Sequence, residues 1–96
     1  MITHLDVGMD EWLGLTWDDR RRLGDWIDGI VGTDKYVYGV ELVGEGAVRV
    51  EIYVDAEGNP AQRPKDIPID RVTGDVATRF FDYAAAEPPP IWPGLP

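Results

Sequence analysis

"YVYGVELVGEGAVRVEIYV", residues 36–54, decides the fold. Two runs of alternating β-branched and aromatic residues, YVYGVELV (36–43) and AVRVEIYV (47–54), flank GEG (44–46). Alternation with period two marks a strand with one buried face, and a short Gly-rich interruption between two such runs marks a hairpin. A three-residue loop pairs Val43 with Ala47. That register sets Tyr36, Tyr38, Val40 and Leu42 opposite Val54, Ile52, Val50 and Val48 on one face. The other face receives Glu41 opposite Arg49 and Val37 opposite Tyr53. A slip by one residue would destroy both matches, so the first face is expected to be core.

On the N-terminal side lies the clearest helix. Thr16 precedes WDDRRRLGDWIDGIVG, where Leu23, Trp26, Ile27, Ile30 and Val31 fall on one helical face. Thr16 can accept from an orphan N–H group, Asp18 and Asp19 suit the positive end of the helix dipole, and Gly32 is a natural stop. Gly24 and Gly29 weaken the helix by about 1 kcal/mol each relative to Ala. Close approach of its backbone to a sheet would explain them. Before the helix, ITHLDV (2–7) reads as a short strand and MDEWLGL (9–15) as a helical turn.

On the C-terminal side, residues 55–75 are loop-rich. Pro60, Pro64 and Pro68 exclude a central strand there, although IPI (67–69) suits a short edge segment. TGD (73–75) reads as a turn into a last strand, VATRFFDY (76–83), with Val76, Thr78 and Phe80 on one face and Phe81 and Tyr83 on the other. A tail, EPPPIWPGLP (87–96), then carries Ile91, Trp92 and Leu95 among five prolines. The expected fold is α+β: one amphipathic helix packed on a three- or four-stranded antiparallel meander. Residues 1–83 form the single domain and 84–96 a Pro-rich tail.

Composition excludes several functions. With 96 residues there is room for one domain. The chain has no Cys and no Ser, so disulfides, thiolate metal sites and Ser or Cys nucleophiles are out. A net charge of −9 disfavours nucleic acid and anionic membranes, whose binding relies on Lys and Arg. No apolar run approaches membrane-spanning length, and MITHLDVGMD lacks the basic and apolar regions of a signal peptide. His4 is the one imidazole, so a His-based metal site would need carboxylates or several chains. DAEGNP (55–60) starts like a calcium loop, but its Gly comes at the fourth position and Asp66 stands at the twelfth, so turn chemistry explains it better. The pairs Asp18/Asp19, Asp25/Asp28 and Glu41/Glu51 are what chance gives in so acidic a chain. No catalytic, cofactor-binding or metal-binding residue is expected, and RRR (20–22) is expected to pair with neighbouring acids.

The aromatic residues exceed what one thin core can hide. Trp12, Trp17 and Trp92 are the surplus, and Trp in excess marks interfaces. Trp12, Trp17, Ile91, Trp92 and Leu95 are therefore the interaction candidates. The tail is either a lure for a partner or a strap over the chain's own core; we favour the strap. A tail crossing to a second copy would make a homo-oligomer.

The Trp- and Arg-rich helix, the hairpin closing as VEIYVDAEGNP, and TGDVATRFFDY together resemble small uncharacterised proteins encoded by actinobacterial bacteriophages, over residues 10–83. The resemblance implies a setting, the bacterial host cytoplasm or the virion, and no mechanism. The expected function is that of a non-catalytic phage accessory protein, not an enzyme, that binds an unknown host or phage protein. The alternatives are a structural virion component, such as a decoration or connector subunit, and an acidic DNA mimic that inhibits a DNA-binding protein.

Overall fold

A computed structural model describes residues 3–93. Strand β1 (His4–Asp6) leads through one helical turn, α1 (Asp10–Leu13), into the long helix α2 (Trp17–Val31). The chain returns as β2 (Val37–Gly44), turns into β3 (Ala47–Tyr53), crosses the Pro-rich loop, and adds β4 (Thr78–Ala84). The four strands form one antiparallel sheet in the order β1-β2-β3-β4. The α+β class and the helix-on-meander plan read from the sequence are those of the structure.

Helix α2 begins as its sequence dictates. The Thr16 hydroxyl accepts from the Asp19 N–H at 3.1 Å, and Gly32 closes the helix with φ of +91°. Leu23, Ile27 and Val31 are buried against Leu5, Val40, Val48, Val50 and Ile52, while Trp26 and Ile30 pack at the margin of this core. Gly24 and Gly29 are not explained by close approach: a Cβ built at either meets nothing within 4 Å. Arg21 pairs with Asp18 at 2.9 Å and Arg22 with Asp19 at 3.8 Å, as one-turn neighbours should. Arg20 instead donates to the Leu15 carbonyl.

The hairpin register holds at its centre, where Val40 faces Val50, Glu41 faces Arg49 and Leu42 faces Val48. Both ends depart from it by one residue. Gly44, not Val43, faces Ala47, so the loop is the two-residue turn Glu45–Gly46, with Gly46 at φ of +70°. Val43 is then an extra residue in β2, 43% exposed. At the other end Val37 faces Ile52 and Gly39 faces Glu51, which leaves Tyr38 as a second extra residue. A bulge exchanges the two faces for everything beyond it. Val37 therefore turns to the core, and Tyr38 leaves it. Tyr38 meets Tyr53 edge-on across the other face, with ring centroids 5.6 Å apart.

In β4, Phe81 and Tyr83 pack on the core, opposite Val50 and Val48, and Phe80 lies on the far side, 54% exposed. The short IPI segment contributes a single bridge, Ile69 to Val76. Past β4 the chain folds back over the core: Trp92 is 2% exposed within it, and Ile91 packs beside it. The Trp26 indole N–H donates to the Glu87 carbonyl at 3.0 Å, which fastens the start of this segment to α2.

Candidate functional site

Helix α2 covers one face of the sheet; among the described residues the other carries outward side chains of the strands, bordered by loop residues 74–76 beside Tyr38, Glu51 and Thr78. His4 and Asp6 of β1 alternate with buried Leu5, and so stand on that open face. Glu41 of β2 and Arg49, Glu51 and Tyr53 of β3 share it by the same alternation, with Thr78, Phe80 and Asp82 of β4.

These residues form two groups. Toward β4, Arg49 donates to Asp82 at 3.0 Å, and the carboxylate raises the guanidinium pKa first by this hydrogen bond and then by its charge. Toward β1, acids gather round one imidazole. His4 Nε2 lies 2.5 Å from Asp6 Oδ1, and His4 Nδ1 lies 3.7 Å from Glu41 Oε2. Glu51 accepts from the Thr78 hydroxyl at 2.5 Å. Among the described residues no Lys or Arg pairs with Asp6 or Glu51. Ligand atoms of His4, Asp6 and Glu51 lie within 4.8 Å of one another. The Tyr53 hydroxyl has its pKa raised, first by burial, then by Tyr38, Glu51 and Asp6.

Asp6 and Glu51 belong to strands two positions apart in the sheet. The residue between them, facing both, is Gly39. A Cβ there would collide with the Asp6 carboxylate. Any side chain on Gly39 would need the space that the Asp6 carboxylate occupies. A glycine inside a strand weakens it and often marks close approach of a ligand or another backbone.

A second feature is the rim of the sheet. Strand β4 ends it, and among the described residues no further strand is hydrogen-bonded beyond. Ala77 O accepts from Val54 N and Ala85 N donates to Gly46 O, so the odd-numbered residues of β4 bond to β3. Alternation then turns the N–H and C=O groups of Thr78, Phe80, Asp82 and Ala84 outward, along an edge that displays Phe80.

The expected interaction residues scatter. Trp17 is the exposed one, at 74%, with the Arg21 guanidinium 6.0 Å from its ring centre. Trp12 and Ile91 are half-buried against the core, and Trp92 lies within it. Leu95 lies outside the described residues. The DAEGNP loop is a turn: Asp55 accepts from the N–H groups of Glu57 and Asn59, and Asp66 pairs with Arg63 at 3.0 Å. The acidic cluster escaped sequence reading because its members come from β1 and β3. Its one local signal was Gly39 in mid-strand.

No protein-family model, curated protein or solved structure matches the chain. Among the described residues, no helix is long and apolar enough to cross a membrane.

Proposed function

We propose that this protein is a non-catalytic accessory protein that acts by binding another protein, of phage or host, through the free edge of β4. The observation that carries this reading is the row of outward N–H and C=O groups at Thr78, Phe80, Asp82 and Ala84. Such a row is a template for one more strand, and proteins ordinarily blunt it with charge, Pro or a covering segment. Here it carries Phe80, 54% exposed. The occupant that suits it is an extended segment of a partner, basic in character, because Asp6, Glu41, Glu51 and Asp82 outnumber Arg49 on the adjoining face. The phage setting rests on the resemblance of residues 10–83 alone. DNA mimicry is less well supported, since Asp18, Asp19, Asp34, Asp66 and Asp82 are each paired with a basic side chain.

The test uses the full chain, tagged, in lysate of an actinobacterial host, beside the variant Phe80→Pro. The Phe80 N–H points outward, so proline there removes a docking donor and no bond of the ladder. A captured protein that is lost with Phe80→Pro, while the circular dichroism spectrum is kept, supports the reading. Equal capture by both chains overturns the β4 edge as the site. Loss of self-association instead, measured by light scattering, would favour the structural, multi-copy alternative.

A further inference from the structure

The open face of the sheet holds chemistry that strand docking does not use. We propose that His4, Asp6 and Glu51 form a binding site for a divalent transition-metal ion of the zinc class.

Four observations lead there. The first is the donor set. One imidazole nitrogen and two carboxylate oxygens match the mixed ligands that zinc and its neighbours accept, and leave a fourth position to water. Calcium is a poor fit, because it takes six to eight oxygens and gains little from a nitrogen.

The second is distance. The three ligand atoms lie within 4.8 Å of one another. Tetrahedral ligands about 2.0–2.2 Å from a zinc ion stand about 3.5 Å apart. To hold an ion the ligand atoms need to approach one another by about 1 Å. His4 is 39% exposed at its side chain, which gives the ion a way in.

The third is charge. Asp6, Glu41 and Glu51 surround a single imidazole, and Arg49 is engaged by Asp82. A divalent cation offsets what the ring alone does not. The Thr78 hydroxyl fixes Glu51 from behind, as outer-sphere partners of metal ligands commonly do.

The fourth is the strand position between the two acids. Gly39 stands between Asp6 and Glu51 in the sheet, and its missing side chain leaves the room that the Asp6 carboxylate takes. Glycine there weakens the centre of a strand. Glycine there lets the Asp6 carboxylate come within reach of Glu51, the placement a shared ion needs.

The experiment needs protein free of any histidine tag. Zinc chloride is titrated into the full chain by calorimetry, and His4, the one histidine, is followed by its ring resonances in NMR spectra. The expected result is one ion per chain, a shift of the His4 ring signals at the same stoichiometry, and a rise in melting temperature reversed by EDTA. Glu51→Gln and His4→Ala should each weaken binding tenfold or more while leaving the metal-free melting temperature within a few degrees of wild type. Calcium chloride should leave the ring signals unmoved. Absence of zinc binding overturns the proposal. So does binding that leaves the His4 signals unmoved, or that both variants retain, because the ion would then sit on scattered surface carboxylates. None of these outcomes bears on the β4 edge, which is tested by a different variant.

Discussion

Two residues of α2 show how little a hydrophobic side chain says until its address is known. Leu23 is 0% exposed and Trp17, six positions earlier, is 74% exposed. Leu23 packs in the core with the inner face of the sheet, and truncating it leaves a cavity that its surroundings fill only in part. Leu23→Ala should therefore lower stability by about 2–5 kcal/mol. Trp17 is larger, yet its contacts are an exposed approach by Arg21 and little else. Such a cation–π contact is worth about 0.5–1 kcal/mol at an exposed site, so Trp17→Ala should cost less than about 1 kcal/mol. Urea denaturation of both variants measures the difference. A Trp17 loss as large as that of Leu23 would mean that this indole is buried in solution, as by a second copy.

At the level of elements, the helix is weaker than its packing requires. Gly24 and Gly29 have helical neighbours on both sides, and a Cβ at either meets open space. Replacing each with Ala should stabilise the protein by about 0.5–1 kcal/mol, through the lower entropy of the unfolded chain. A destabilisation in chemical denaturation would restore the idea that the backbone needs close quarters there. The helix, its cap and its buried stripe were legible in the sequence because they are local: spacing, one hydroxyl and one glycine suffice. The middle of the hairpin was legible for the same reason, since three matched pairs leave one register. Its ends were not. Period-two reading has no means of placing an extra residue, and the bulges at Tyr38 and Val43 put Val37 in the core and send Tyr38 to the open face. The His4–Asp6–Glu51 cluster was hidden for a related reason, because it exists only once β1 has been laid beside β2 at the register that centres Gly39.

For the molecule as a whole, the decisive question is what seals the core. The sheet has one inner face, and α2 supplies three buried side chains to it, Leu23, Ile27 and Val31. Trp92 supplies another from beyond β4, held near the helix by the Trp26–Glu87 hydrogen bond. A Pro-rich segment suits this task, because its backbone is extended before it docks and loses little entropy in docking. Deleting residues 87–96 removes a buried indole together with its half-buried neighbour Ile91. The loss should be about 3–5 kcal/mol, as for other large aromatic truncations. That is a large share of the 5–15 kcal/mol typical of a folded domain. The shortened chain should unfold at lower urea, bind hydrophobic dyes and aggregate, since the inner face would meet water. Concentration separates this from an exchanged tail. If Trp92 fills the core of its own chain, the midpoint for the full chain is the same at low and high protein concentration, and light scattering reports the full chain as a monomer. A midpoint that rises with concentration in the full chain and not in the shortened one would show that the strap crosses between copies. A shortened chain as stable as the parent would remove Trp92 from the core altogether.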